Sequence, residues 1–238
     1  MKILAAIVLA LALTVTAGPA FAHGTTTAWY GGQIIEVTEG WRIEFAVRDG
    51  AIRAWVRDHD DKAVAATGKA TLLVNGKKVT ATFKNDGDSL LAEAPIKAAD
   101  KVAAILSLTV NGKPVSARFG QEAVVIAELK GPAQAGKKAF EEVCAACHGV
   151  ALRGSDTAPP LLHAFYAPGS GHGDDVMLAA IKNGAKSHMW KFGDMPKPED
   201  VPSGQETNII AYIRAMQAAN GLGGSAATPI DHSGHASH

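Results

Sequence analysis

The chain has 238 residues, with 23 basic and 23 acidic side chains. That balance offers no basic stripe for a phosphate backbone, so a nucleic-acid partner is not expected. Once a leader is set aside, roughly two hundred residues remain, enough for two ordinary domains of ~100 residues each.

The first segment is Met1-Lys2, an apolar run from Ile3 to Thr14, and Ala20-Phe21-Ala22. A positive start, a short apolar stretch and an Ala-x-Ala site predict a secretory signal over 1–22, cleaved after Ala22. The run is short of the ~20 residues that span a bilayer, and no later stretch is long and apolar enough. The expectation is an exported, periplasmic protein with no stable membrane insertion after cleavage. Cleavage would expose His23, whose amino group and imidazole can chelate copper.

Residues 23–128 read as an all-β domain. Trp41 to Val47 alternates like a strand with one buried face. Val79, Ala81 and Phe83 do the same, as do Val102, Ala104, Leu106, Leu108 and Val110. Asp49-Gly50, Asn75-Gly76, Asp86-Gly87 and Asn111-Gly112 punctuate these runs and supply the positive φ of tight hairpins. About seven strands at spacings of about ten residues predict an immunoglobulin-like sandwich, with a small barrel as the alternative. Neither fold discloses a function. The turn Asp58-His59-Asp60-Asp61 gathers three carboxylates and an imidazole, and reads as a solvent-facing turn in preference to a cation site.

Val124 to Leu129 reads as a last strand or a linker. Pro132 suits the first turn of a helix, which the pattern carries from Ala133 to Cys147. That helix delivers Cys144-Ala145-Ala146-Cys147-His148, and these are the only two cysteines of the chain. Two thiols three positions apart on one turn can each form a thioether to a porphyrin vinyl group, with the next residue under the iron. Zinc would need two further paired Cys or His ligands, and a redox dithiol would need a βαβ pattern around the motif. The reading is therefore one covalently bound haem c on Cys144 and Cys147, with His148 as an axial ligand of the iron.

Residues 150–173 are mostly loop. Asp174 to Asn183 reads as a helix, and Gln205 to Ala218 as another, with Ser203 as its N-cap and an apolar face of Ile209, Ile210, Tyr212, Ile213 and Met216. Residues 222–238 read as a flexible tail with His232, His235 and His238 at threefold spacing, a composition that suggests copper binding.

Gly136 and Phe140 before the cysteine motif, Ala158-Pro159-Pro160-Leu161 after it, Gly193-Asp194-Met195-Pro196 and a last helix with Tyr212 follow in one order. From about Ala133 to Asn220 the chain thereby resembles the class I cytochrome c family, which places a cytochrome c domain at residues 129–221. The resemblance implies an all-α cytochrome c fold joined to the β domain, and haem attachment outside the cytoplasm. It also implies Met195 as the distal ligand of the iron, and Pro159 as the acceptor for the His148 Nδ1–H, although Ala158 stands where the family usually has Gly. Met189 is the rival methionine, while Met177 and Met216 read as core. His163, His172 and His188 are the rival distal histidines.

Three functions follow. The leading one is a monohaem electron-transfer protein, not an enzyme, serving redox protein partners. The second is a haem sensor or peroxidase with a labile Met195 and His188 as acid or base. The third is a copper-handling or other metal-binding protein with an attached cytochrome domain.

Overall fold

The computed structural model describes residues 27–223. The expected signal peptide, His23 and the tail histidines His232, His235 and His238 lie outside the described residues. Among the described residues nine strands come first. They are β1 (Gln33–Glu36), β2 (Arg42–Arg48), β3 (Ala51–Arg57), β4 (Ala66–Val74), β5 (Lys77–Thr82), β6 (Lys84–Asp86), β7 (Ser89–Glu93), β8 (Val102–Val110) and β9 (Lys113–Gln121). They form two antiparallel sheets, in the orders β1-β2-β3-β7-β6 and β5-β4-β8-β9. The alternation seen in the sequence is cleanest in β8, where Val102, Ala104, Leu106, Leu108 and Val110 are buried and the residues between them are exposed. These side chains share one core with Ile43, Ile52, Leu72 and Phe119, drawn from both sheets. The Asn-Gly pairs close hairpins as expected: Asn75 and Gly76, and Asn111 and Gly112, all have positive φ, the condition of a type I′ turn whose twist matches its strands.

β2 departs from the one-sided pattern, since every residue from Ile43 to Arg48 is buried. Its second face carries Glu44, Ala46 and Arg48, and residues 29–32 together with the loop at Asp156 cover it. A strand buried on both faces loses the polar half of its alternation.

The rest is helical segments separated by long loops. α1 spans Gly131–Val143, α2 Ala145–His148, α3 Asp174–Asn183 and α4 Glu206–Ala219, with a 3-10 turn at Ala164–Tyr166. Helix α3 has the expected bounds. The helix expected from Ala133 to Cys147 divides at Cys144, which ends α1 and begins α2. Ser203 is not the cap of α4: Gln205 stands there, without a side-chain capping bond. Helices α1 and α4 cross where Gly136 meets Asn208, and any Cβ at Gly136 would overlap the Asn208 carbonyl. Just beyond, the rings of Phe140 and Tyr212 lie 5.3 Å apart. A second core gathers there around Phe140, Leu152, Ile209 and Met216.

Val124 to Leu129 forms no strand. It is also no free tether, because Val124 belongs to the helical core and Ala127 and Leu129 pack against it. The Asn220 side chain gives Val125 both an acceptor and a donor at 2.8 Å, the pairing a neighbouring strand would otherwise supply. None of the helices among the described residues is long and apolar enough to cross a membrane.

Candidate functional site

A cavity of ≈ 420 Å³ opens between α1, α3, α4 and the loops that join them. Cys144, Cys147, His148 and Met195 all line it, together with Phe140, Ile181, Ile209, Ile213, Trp190 and Phe192. The wall is therefore largely apolar, with a few soft or basic groups converging on it, the composition of a cofactor site. Helix α2 is a single turn, and it brings the two thiols and the imidazole to the same wall. Neither cysteine is in a disulfide. Burial, with the neighbouring Cys147 thiol, pushes the Cys144 thiol up to about 11.

His148 Nδ1 lies 3.0 Å from the Pro159 carbonyl. Since a carbonyl only accepts, Nδ1 carries the proton and Nε2 keeps the lone pair that a metal needs. Burial lowers the His148 pKa, which further favours the neutral ring. The loop holding Pro159 is itself stapled: the Gly154 N–H donates to the His148 carbonyl and the Ser155 N–H to the Ala158 carbonyl. Ala158 therefore sits in an ordered turn without the glycine of the family pattern.

Elsewhere in the lining, the N–H and carbonyl of Met195 pair with those of Ala185 at 2.9 and 3.0 Å. Gly184 has a φ of +75°, and a Cβ there would collide with the Met195 carbonyl. Met195 is thus hung on the end of α3 by an isolated bridge that requires a glycine beside it. Met189 does not line the cavity. Met177 is buried and forms part of the wall, while Met216 is core.

The three rival histidines separate. His163 is absent from the cavity wall, and its Nδ1 accepts the Phe165 N–H at 3.1 Å. His172 and His188 line the cavity with their Nε2 atoms 3.2 Å apart and their rings nearly parallel. Trp190 packs in the wall and donates its indole N–H to the Tyr166 hydroxyl at 3.0 Å, so its polar edge is already used.

A tetrapyrrole fits this donor set. The cavity is largely apolar, it presents two thiols beside an imidazole in the ligand tautomer, and a thioether also lines it. The family model described as Cytochrome c matches residues 133–217. The C-terminal half carries a cytochrome c domain. No curated protein matches the chain, and no solved structure does.

The β sheets are bound to this cytochrome c domain at both of its critical loops. Asp156, three residues before Pro159, pairs with Arg53 at 2.8 Å and with Arg48 at 3.4 Å. On the Met195 side, the Lys191 N–H donates to the Trp29 carbonyl at 2.9 Å, and the Lys191 ammonium sits 3.5 Å from the centre of the Trp29 ring. Arg57 also lies over that ring, at 3.8 Å. Tyr30 stacks on Trp55 at 4.4 Å and meets the Phe192 ring edge-on. Residues 29–32 are in turn held by Glu44, fully buried, which accepts the N–H groups of Trp29, Tyr30 and Gly32 and lies 3.6 Å from Arg57.

Sequence reasoning missed Glu44, Arg48, Arg53, Asp156, Trp29 and Tyr30. A charged residue inside an apolar strand, as Glu44 is in β2, was the one available signal. No group of three or more metal-binding side chains forms among the described residues. At the 58–61 turn, Asp58 accepts the N–H groups of Asp60 and Lys62, and Asp61 pairs with Arg42.

Proposed function

We propose that this protein is a periplasmic monohaem electron-transfer protein, not an enzyme, with His148 and Met195 as axial ligands and Cys144 and Cys147 as the attachment thiols. The observation that carries the reading is the convergence of both thiols, the Nε2 lone pair of His148 and the bridged Met195 on one apolar cavity. Haem, when bound, supplies a one-electron couple whose potential a methionine ligand raises relative to a second imidazole. The chain's own part is to hold the His148 ring through Pro159, to hold Met195 through Ala185, and to exclude water with Phe140, Ile209 and Ile213. A site with both axial positions filled leaves no room for substrate, so the partners are redox proteins that dock near the cavity mouth.

The architecture that accompanies this reading is an immunoglobulin-like domain followed by an all-α cytochrome c fold, with domains at 23–128 and 129–221. The strand orders support the first part: β2-β3-β7-β6 opposite β5-β4-β8-β9 is the connectivity of such a sandwich with one additional hairpin strand, β1. Cleavage after Ala22 and copper at His23 or at the His232, His235 and His238 tail belong to the same proposal.

The visible spectrum with a pyridine haemochrome assay tests it. One haem c per chain, a sharp low-spin ferrous spectrum and a methionine-to-iron(III) band at the red end are the expected results. Ready binding of CO by the reduced protein would overturn the His/Met assignment. The His172 and His188 pair on the cavity wall favours a second reading, a sensor or peroxidase in which Met195 leaves the iron. In that case Met195→Ala keeps or gains peroxidase activity.

A further inference from the structure

A second cavity, of ≈ 230 Å³, lies at the seam between the β sheets and the cytochrome c domain. It shares no lining residue with the haem cavity. Gly32, Gln33 and Arg48 line it from one side, and Arg153, Pro160 and His163 from the other. No Asp or Glu lines it.

Its basic groups are not equally satisfied. Arg48 is occupied, since it pairs with Asp156 and donates to the carbonyls of Val47 and Tyr30. Arg153 is different. One guanidinium N–H reaches the Glu122 carbonyl at 3.1 Å, its Nε is buried with no hydrogen-bond partner, and among the described residues no carboxylate forms a salt bridge with it. Burial alone lowers its pKa, with no acidic group opposing that fall. Arg153 as a residue is half-buried, but its Nε is sealed from solvent, and a guanidinium with a buried unpaired donor and no counter-charge is unfavourable. His163 adds a donor. Its Nδ1 accepts from the Phe165 N–H, so the proton of the neutral ring sits on Nε2.

We propose that this seam cavity binds one small oxyanion, a carboxylate or a phosphate, which supplies the counter-charge of Arg153 and accepts from the His163 Nε2–H. A guanidinium fork matches the paired oxygens of either group, and the volume suits a small anion, being below the range of drug-sized sites. The bound anion would join the two halves of the chain. It would also sit beside Pro160, the neighbour of the His148 acceptor Pro159, and beside His163, whose ring packs 5.0 Å from Trp190 of the haem wall. A negative charge there favours ferric over ferrous iron and lowers the midpoint potential. This coupling rests on the haem reading above, whereas the anion site does not.

The test is calorimetric titration of the full-length protein, after haem loading has been measured separately, with inorganic phosphate and, in a second series, acetate in a chloride background. One saturable site is expected for at least one probe, and the preferred probe distinguishes a phosphate from a carboxylate. Affinity should fall about tenfold or more in Arg153→Gln, the loss of one charge-assisted hydrogen bond. Should that variant fail to fold, His163→Phe is expected to weaken binding several-fold. The absence of a saturable site for both probes overturns the proposal, and so does equal affinity in wild type and either folded variant.

Discussion

Asp156 accepts the Arg53 Nε–H at 2.8 Å and lies 3.4 Å from the Arg48 Nε, so one carboxylate ties the loop that orients His148 to two adjacent β-strands. Arg48 is almost wholly buried and Asp156 about half exposed. Removing the charge therefore leaves Arg48 short of a counter-ion while solvent screens part of the loss. Asp156→Asn is expected to lower stability by about 1–2 kcal/mol, read from denaturant unfolding of the haem-loaded protein. Its haem content should be unchanged.

Glu44 is the more severe case. Its two oxygens accept three backbone N–H groups and face the Arg57 guanidinium, so all of these partners are donors. Glu44→Gln sets donor against donor and strips Arg57 of a buried partner, at a cost of about 3–5 kcal/mol. Residues 29–32 should then leave β2. Trp29 fluorescence would report the release, and an unaltered emission spectrum in the folded variant would contradict the anchoring role.

The two methionines give opposite expectations. Met195→Ala should abolish the red-end band of the oxidised protein, lower the midpoint potential and allow CO to bind the reduced form. Met189→Ala, which removes a side chain outside the cavity wall, should keep the band. A band lost in Met189→Ala and kept in Met195→Ala would reverse the assignment.

Asp58 provides a pH test remote from the haem. Its pKa is lowered, chiefly because it accepts the Lys62 N–H, with the Asp60 N–H adding to the effect. A carboxylate with a depressed folded pKa contributes stability above its unfolded pKa and loses it as pH falls through the folded value. The Tm difference between wild type and Asp58→Asn should therefore be present at neutral pH and vanish in acid, below the usual carboxylate range. A difference that persists at acid pH would remove Asp58 from this role.

Much of the local structure was legible because it depends on neighbours in sequence. The alternation of β8, the Asn-Gly hairpins and the bounds of α3 follow from side-chain period and turn chemistry. The cap of α4 was not, since Ser203 resembles a cap but the helix begins at Glu206 after Gln205. The unsigned second face of β2 escaped for a different reason. Glu44 and Arg48 are buried by segments remote in sequence, and no local pattern announces a partner such as Asp156, 108 residues away from Arg48.

The sequence by itself determined the chemistry on offer: two thiols and an imidazole on one helical turn, a methionine before a proline, and a β-rich segment ahead of them. Those are matters of residue type and short spacing, which covalent geometry governs. Only the tertiary structure decided that Met195 lines the cavity and Met189 does not, which histidines stand near it, and that the β sheets grip both loops around it. These are long-range contacts, and they arise from burying Glu44 and Arg48 at a seam where each must find a partner, while the half-buried Arg153 keeps an unpaired Nε.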